Sequence, residues 1–329
     1  MRADTFLTGR GLTGRGLTGR GLTGRGLTGS VLQRAARLCA LSLPLLASLL
    51  GGIANAEVIH EERSVYRNII VTEVDGRRCL IFNAVRGERN QTCMNMRDPQ
   101  EMIFHYTRMT MAGLLVNPNP QNILIAGLGG GTVPTVLHEL YPQAKIDVLE
   151  IDQAVLNVAR DYFNFTEDDN LKAHVVDARV FIKRAGLQGA KYDFIMLDAF
   201  TGEYIPEHLL TQEFLQEVKQ LLTPDGVLVA NTFSTSNLYS HESVTYTSVF
   251  GEFFNFKMSG SGNRVIIAQQ KPLPDQGQLS QTAQALYEPL KVYGVDILEF
   301  PVRLSTKPDW DESLRILTDQ FSPANLLGQ

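Results

Sequence analysis

Apolar and polar residues alternate along residues 57–97, and this period of two is typical of β-strands with one buried face. The stretch RNIIVTEVDGRRCLIFNAV contains two such runs on either side of Asp75-Gly76, a dipeptide that favours the tight turn of a hairpin. The pattern therefore predicts a small antiparallel β-region at the start of the folded body.

From residue 98 the spacing of apolar residues changes to a helical period. The apolar positions on this helical face are Met102, Tyr106, Met109 and Gly113. Two prolines follow at Pro118 and Pro120, so the pattern predicts a helix over Asp98–Leu115 that ends before them.

Beyond residue 121, short apolar runs alternate with amphipathic segments. The runs NILIAGL, KIDVLEID, KAHVVDA, YDFIMLDAF and DGVLVANTF read as buried strands. Helices are predicted from about Thr132, over QAVLNVARDYF, and over PEHLLTQEFLQEVKQLL, where Pro206 opens the helix. The stretch FFNFKMSGSGNRVIIAQQ predicts a closing pair of strands. This order predicts an α/β protein with a doubly wound parallel sheet, the class I methyltransferase-like Rossmann fold.

The same pattern divides the chain into five parts. We expect a low-complexity repeat at 1–30, a signal peptide at 31–56, a β-hairpin region with a helix at 57–117, a Rossmann-like catalytic domain at 118–271 and a helical extension at 272–329.

The first 56 residues differ in composition from the rest. LTGRG repeats along residues 7–29, and glycine at this density resists ordering. Then comes a basic start, an apolar run that is short for a membrane span, and Ala54-Asn55-Ala56, which together form the pattern of a secretory signal. We expect export to the periplasm if this signal is cleaved, and a membrane anchor if it is not.

The net charge of −5 conceals a more acidic body, because residues 1–56 carry seven Arg and one acid. The remainder has a net charge of −11, which disfavours nucleic acid as a partner and allows a cationic substrate. The six His show no metal-ligand spacing, so we expect no metal. Cys79 and Cys93 flank the predicted hairpin; they are either a disulfide pair or two buried thiols.

The turn GLGGGT lies between a predicted strand and a predicted helix, where glycines let the backbone approach a ligand closely. Each of the next three strands ends in an acid: Glu150 with Asp152, then Asp177, then Asp198. Ligands bind at this edge of such sheets, so Glu150 is placed to accept the ribose hydroxyls and Asp177 the adenine amino group. Thr132 replaces the third glycine of the dinucleotide motif, which favours an S-adenosylmethionine-type cofactor over NAD.

Four motifs, ILIAGLGGGTVP, VLEID, VVDAR and YDFIMLDAF, follow one another in order, and between residues 61 and 270 the chain resembles the spermidine synthase (polyamine aminopropyltransferase) family. It is most similar to a divergent spermidine synthase-like branch, which has a Gln and a Tyr-x-Arg before the core, DAF followed by IP, and LTD near the C-terminus. The resemblance implies decarboxylated S-adenosylmethionine or S-adenosylmethionine as co-substrate, a small amine as substrate, and a homodimer formed through the N-terminal β-region.

The resemblance also implies roles for individual residues. Asp198 is the expected catalytic acid, since an attacking amine has to lose a proton. The expected cofactor-binding residues are Gly127, Gly129, Gly131, Glu150, Asp152, Asp177 and Ala178. The expected substrate contacts are Gln91, Tyr106, Glu203 and Tyr204.

The chain departs from the family pattern at two acids. Gly130 stands where the family has an Asp near the aminopropyl amine, and Thr201 stands where it has a second Asp, with Glu203 as the candidate replacement. Three hypotheses therefore remain. The first is an aminopropyltransferase that acts in polyamine biosynthesis, the second is an S-adenosylmethionine-dependent methyltransferase, and the third is an exported, non-catalytic protein that binds a polyamine or nucleoside.

Overall fold

The structure, a computed structural model, describes residues 56–84, 87–200 and 204–321. The predicted repeat at 1–30 and all but the last residue of the predicted signal at 31–56 lie outside the described residues. In the described ranges, no helix combines the length and the hydropathy that a membrane span requires.

The N-terminal region is a four-stranded antiparallel sheet in the order β1-β2-β3-β4. Its strands are β1 (Glu57–Arg63), β2 (Asn68–Val74), β3 (Arg77–Ala84) and β4 (Gly87–Asn95). Asp75 and Gly76 join β2 to β3, both with positive φ, as a tight hairpin turn requires. The predicted hairpin is confirmed. Cys79 and Cys93 face each other on β3 and β4 and form a disulfide.

The second sheet has eight strands in the order β12-β10-β11-β9-β8-β5-β6-β7. The strands are β5 (Asn122–Ala126), β6 (Lys145–Glu150), β7 (Leu171–Val175), β8 (Tyr192–Leu197), β9 (Leu222–Phe233), β10 (Phe254–Lys257), β11 (Asn263–Gln269) and β12 (Leu304–Ser305). Strands β5 to β9 pair in parallel, and β10 to β12 close the sheet antiparallel. This topology confirms the predicted methyltransferase-like α/β fold.

Helices cover both faces of this sheet. They are α1 (His105–Thr110), α2 (Thr132–Leu140), α3 (Gln153–Tyr162), α4 (Ala178–Leu187), α5 (Gln212–Leu221), α6 (Tyr239–Phe250) and α7 (Gln276–Lys291). Alternate residues of β5 point to opposite faces, so Ile123 and Ile125 pack with α2 and α7, while Leu124 and Ala126 pack with α4, α5 and α6. Helix α3 also packs its apolar side on the N-terminal sheet, which fixes that sheet beside the strand ends.

Three of the predicted segments fold differently from the expectation. The helix expected over Asp98–Leu115 begins only at His105 and tightens into a 3-10 turn over Met111–Leu115. Pro206 does not open α5; it precedes a 3-10 turn over Glu207–Leu209, and α5 starts after Thr211, whose hydroxyl accepts from the Phe214 amide at 3.2 Å. The third difference is in the C-terminal segment, which adds β12 to the sheet.

Candidate active site

A cavity of about 300 Å³ lies at the carboxyl ends of the parallel strands. The residues that follow β5, β6, β7 and β8 line its floor, and the N-terminal sheet contributes Phe82, Gln91 and Thr92 to its wall. Binding at this edge is general for open α/β sheets, because the loops there diverge on either side of the sheet. The cavity therefore lies where the sequence placed the ligand.

The glycine turn forms one end of the cavity, and its backbone leaves too little room for side chains. A Cβ on Gly127 would lie 2.2 Å from the backbone oxygen of Asp198, and the φ of Gly127 is 106°. Gly129 has a φ of 55° and lines the cavity beside Gly127. Gly131 differs from the expectation of a cofactor contact, because it does not line the cavity. It is the N-cap residue before α2, and a Cβ there would lie 2.6 Å from the ring of Phe165.

Glu150 lies at the end of β6 with its carboxylate on the cavity. Its Oε2 accepts from the Leu128 amide at 3.3 Å and its Oε1 from the Asp152 amide at 3.0 Å. Burial raises the pKa of this carboxyl, while these amides and the nearby Arg67 lower it. Each oxygen keeps a lone pair for a further donor, so Glu150 is suited to accept two hydroxyl groups.

Asp152 was expected beside Glu150 as a cofactor contact, and the structure places it elsewhere. Its Oδ1 accepts from the Ala154 amide at 3.1 Å and so caps α3. Its Oδ2 accepts from the Ser64 hydroxyl at 2.5 Å and lies 3.8 Å from Nε of Arg67. The carboxylate therefore caps α3 and holds the loop between β1 and β2, and it does not line the cavity.

Asp177 and Ala178, two of the predicted cofactor-binding residues, line the next part of the cavity. Asp177 caps α4 through its Oδ1, which accepts from the Val180 amide at 2.9 Å. Its Oδ2 lies 3.1 Å from Nε2 of His208, whose ring also lines the cavity. Each oxygen of this carboxylate keeps a further lone pair, which suits a ligand amino group.

Asp198 follows β8 and is partly buried on the cavity wall. The side-chain nitrogen Nδ2 of Asn231 donates to Oδ1 of Asp198 at 2.7 Å. The side-chain nitrogen of Asn263 in turn donates to the side-chain oxygen of Asn231 at 3.0 Å. This chain of amides fixes which end of Asn231 faces the carboxylate. Burial raises the pKa of Asp198 to about 7, against the lowering effect of Asn231. A carboxylate with this pKa can accept a proton near neutral pH.

A second cavity, also of about 300 Å³, adjoins the first near Asp198. The two cavities share Gln91, Phe104, Tyr106 and Phe200 as lining residues. The Tyr106 hydroxyl donates to the backbone oxygen of Gln91 at 3.3 Å. Burial, and then the charge of Asp198, raise the pKa of Tyr106, so its hydroxyl stays protonated. The predicted substrate residues Gln91 and Tyr106 thus lie at the junction of the two cavities.

The positions of the two missing family acids have different outcomes. A Cβ on Gly130 would lie 2.6 Å from the Thr92 methyl group, and the Thr92 hydroxyl accepts from the Gly130 amide at 2.9 Å, so Thr92 occupies the space a side chain would need. Thr201 and Glu203 lie outside the described residues. Tyr204 departs from the expectation of a substrate contact: its side chain is 41% exposed and lines neither cavity.

Four residues at the site were not predicted from the sequence. They are Arg67, Thr92, Asn231 and Asn263. Arg67 stacks 4.4 Å from the Phe82 ring and donates to the Phe200 backbone oxygen at 3.3 Å. Amides, hydroxyls and a single Arg carry no spacing signal, and only the fold brings them to the two cavities. Among the described residues no group of three His, Cys, Asp or Glu could hold a metal ion.

The sheet topology and the cavity at the carboxyl ends of its strands together have the architecture of class I methyltransferase-like proteins. A spermine/spermidine synthase domain profile matches residues 98–259. The polyamine aminopropyltransferase of Vibrio vulnificus is 55% identical over 295 residues, which cover 89% of this chain and 96% of that protein. The chain belongs to the spermine/spermidine synthase family and is a transferase.

Solved structures show the same architecture. Human methyltransferase-like protein 13 in complex with SAH is 28% identical with a TM-score of 0.54, and the match covers 64% of this chain and 96% of that one. A probable spermidine synthase from Corynebacterium glutamicum matches with a TM-score of 0.60 at 20% identity, over 79% of this chain and 99% of that one. The second match concerns the fold alone.

Proposed function

We propose that the protein transfers an aminopropyl group from decarboxylated S-adenosylmethionine to a small-molecule amine, and so acts in polyamine formation. The observation that carries this proposal is Asp198, a carboxyl on the wall of the first cavity that is held at 2.7 Å by Asn231, a residue lining the second cavity. Burial raises the pKa of Asp198 to about 7. Membership of the family supplies the reaction class, and Asp198 supplies the group that the reaction needs.

The first cavity fits the adenosyl part of the co-substrate. Gly127 and Gly129 let the ligand approach the backbone, Glu150 offers two oxygens to the ribose hydroxyls, and Asp177 offers an acceptor to the adenine amino group. When bound, the co-substrate supplies a sulfonium whose neighbouring carbon is open to attack.

Asp198 then acts on the acceptor amine. Free alkyl amines hold a proton with a pKa of about 10.4, so an ammonium is attracted to the Asp198 carboxylate and must lose its proton to become a nucleophile. The nitrogen lone pair forms a bond to carbon, the carbon–sulfur bond breaks with its electrons left on sulfur, and Asp198 takes the proton. Methylthioadenosine leaves as a neutral thioether. Asn231 keeps the carboxylate oriented during this step.

Methyl transfer from S-adenosylmethionine is the second candidate. The 28% identity to a methyltransferase structure with bound SAH favours it, and Gly130 leaves no acid in the turn to hold an aminopropyl ammonium. The two reactions release different nucleosides, methylthioadenosine or S-adenosylhomocysteine, so the product identifies the reaction.

The test is a parallel incubation of the purified protein with each sulfonium compound and a panel of amines, read by mass spectrometry. Aminopropyl transfer predicts methylthioadenosine and an amine enlarged by an aminopropyl group, with the rate reduced about a hundredfold or more in Asp198→Asn. Release of S-adenosylhomocysteine alone would replace the proposal by the second candidate. No product from either compound would overturn both.

We further propose that the chain is exported. The signal pattern at 31–56 supports this, and so does the Cys79–Cys93 disulfide, since disulfides persist in oxidising compartments. Mass spectrometry of the mature N-terminus tests it. Export with cleavage predicts a first residue near Glu57, and an N-terminus that retains residues 31–56 in a soluble cytoplasmic fraction would contradict it.

A further inference from the structure

One wall of the first cavity is a segment that faces the cavity on one side and an apolar cluster on the other. Pro206, His208 and Leu209 line the cavity. The next residue, Leu210, turns away into a small apolar cluster with Leu238 and Leu317. The position of the cavity wall therefore depends on whatever packs behind it.

What packs behind it is a turn near the C-terminus, Leu317 to Phe321, which we name the C-terminal turn. Thr318 and Phe321 pair across it. The backbone oxygen of Leu317 accepts from the Gln212 amide at 2.8 Å, and the Leu317 amide donates to the Thr245 hydroxyl at 2.9 Å. These bonds join the C-terminal turn to α5 and α6, directly behind the cavity wall.

Asp319, at the tip of the C-terminal turn, makes charged contacts there. Its Oδ1 and Oδ2 each accept from the Arg179 guanidinium at 2.7 Å, in a two-bond arrangement that is geometrically specific. Its Oδ1 also accepts from the Thr211 hydroxyl at 2.8 Å, and its amide donates to Glu213 at 3.0 Å. The side chain and the backbone of Asp319 thus hold the C-terminal turn to Thr211 and Glu213, which follow the cavity wall in sequence.

Arg179 connects these contacts to the part of the cavity that Asp177 and His208 line. It is 9% exposed, follows Asp177 and Ala178 at the start of α4, and also pairs with Glu217 at 3.0 and 3.1 Å. Its guanidinium donates to the backbone oxygen of His208 at 3.1 Å. One side chain therefore holds the C-terminal turn, the peptide of His208 and the helix end that carries Asp177.

We propose that Asp319 is a positioning residue for nucleoside recognition: through Arg179 it holds the start of α4, which carries Asp177, against the cavity wall at His208, whose ring nitrogen lies 3.1 Å from the Asp177 carboxylate, and so it determines the shape of the adenine end of the cavity. This inference rests on the proposed function, which makes the ligand a nucleoside. Asp319 does not line either cavity, and it acts through Arg179.

The test is calorimetric binding of methylthioadenosine to the full chain and to Asp319→Asn. The variant should fold, since Asp319 is 41% exposed and Arg179 keeps Glu217 as a charged partner. We expect affinity about tenfold weaker, equivalent to one hydrogen bond to a charged acceptor. We also expect a smaller preference for methylthioadenosine over methylthioinosine, because that preference depends on Asp177 facing the amino group.

The matched control is Asp309→Asn, which removes another acid of the C-terminal segment. Asp309 accepts from the Tyr239 hydroxyl at 2.6 Å and pairs with Lys257, away from both cavities. It should lower thermal stability yet leave methylthioadenosine affinity within about twofold of the unmodified protein. If Asp319→Asn does not fold, Arg179→Lys takes its place, because lysine keeps the charge but not the paired bonds.

The outcomes separate the two claims. Unchanged affinity and unchanged nucleoside preference in Asp319→Asn, with only a lower melting temperature, would overturn the positioning role. Equal weakening by Asp309→Asn would overturn it as well. Failure of the unmodified protein to bind methylthioadenosine would instead count against the proposed function.

Discussion

At the scale of single residues, Asp198 combines a function with a cost. The proton acceptor needs a carboxyl whose pKa is near neutrality, and the protein obtains it by burial, which raises the pKa to about 7. A carboxylate kept in such a place above pH 7 is less well solvated than in the unfolded chain. Activity and stability should therefore respond to this residue in opposite directions.

The first prediction concerns stability of Asp198→Asn against pH. The folded-state pKa of Asp198 is raised above its unfolded value. The stability that the protonated carboxyl contributes is therefore fully present below the unfolded pKa of about 4, and it is lost as pH rises through 7. Asparagine cannot ionise, and it still accepts from Asn231. Urea denaturation should show the variant about 2 kcal/mol more stable than the unmodified protein at pH 8, and little different at pH 4.

A shift of three pKa units corresponds to a stability difference of about 4 kcal/mol. We expect only about half of that difference at pH 8, because the carboxylate keeps some contact with solvent. Asp225→Asn is the control, since Asp225 is an exposed acid paired with Lys271. An Asp198→Asn protein no more stable than the unmodified protein at pH 8 would contradict the raised pKa.

The second prediction concerns Gly127→Ala. The new Cβ would lie 2.2 Å from the Asp198 backbone oxygen at a φ of 106°, so β5 and β8 would have to separate at the cavity floor. We expect a loss of about 3–5 kcal/mol in the free energy of unfolding, from strain and overpacking together. Nucleoside binding should also be lost.

Gly189→Ala is the matched control for this effect. Gly189 follows the end of α4 and lines neither cavity. Its φ of 73° is also left-handed, but no atom lies within 4 Å of the position that a Cβ would take. The substitution should cost about 1–2 kcal/mol, from backbone strain alone, and leave nucleoside binding intact. Equal losses in the two variants would contradict the steric account of Gly127.

At the scale of elements, the β3–β4 hairpin links a disulfide to the cavity. Cys93 bonds to Cys79 across the hairpin, and its neighbours Gln91 and Thr92 line the cavity wall. The bond closes a loop with a sequence separation of 14. The double variant Cys79→Ala with Cys93→Ala should be about 3 kcal/mol less stable in urea, as the chain-entropy relation gives for such a loop.

A reductant provides the control for this third prediction. It should lower the stability of the unmodified protein toward that of the double variant and leave the double variant unchanged. An unmodified protein whose urea midpoint does not respond to reductant would show that the two cysteines are not bonded.

A fourth prediction concerns α6 and β11, which a buried ion pair joins. Arg264 is fully buried, and its guanidinium donates to Glu242 at 3.0 Å, to Ser243 and to Thr232. Glu242→Gln would leave that cation without its charged partner, at a cost of about 3–5 kcal/mol. Asp225→Asn, which breaks an exposed pair, should change thermal stability by no more than the error of the measurement. Similar losses in the two would contradict the account.

At the scale of the whole molecule, the sequence predicted β5, β6, β8 and β9 well, because strands buried on both faces appear as continuous apolar runs. The strand predicted in KAHVVDA is present as β7, but it lies at the sheet edge and only Leu171 in it is buried. It did not predict α6. That helix is buried on most of its surface and carries hydroxyl and β-branched residues such as Ser243 and Thr245, so it shows no amphipathic stripe. The role of Glu242 in this helix becomes clear only in the fold, where it pairs with Arg264 of β11.

The site was predictable to the extent that strand ends determine it. Glu150 ends β6, Asp177 and Asp198 follow β7 and β8, and the fold brings all three to one cavity. Asp152 shows the limit of that argument: it directly precedes a helical segment, and that N-cap signal was available in the sequence. Asn231 and Arg179 depend on pairings between distant elements, which no local pattern contains.

The most direct test of the account is the pH dependence of kcat/KM for methylthioadenosine formation from decarboxylated S-adenosylmethionine and the best acceptor amine, measured from pH 5 to 9. We predict a rate that falls on the acidic side with an apparent pKa of about 7, as Asp198 takes up its proton. In Asp198→Asn the rate should be at least about a hundredfold lower, with methylthioadenosine affinity retained. An Asp198→Asn enzyme that keeps the unmodified rate and the same acidic limb would contradict the central claim.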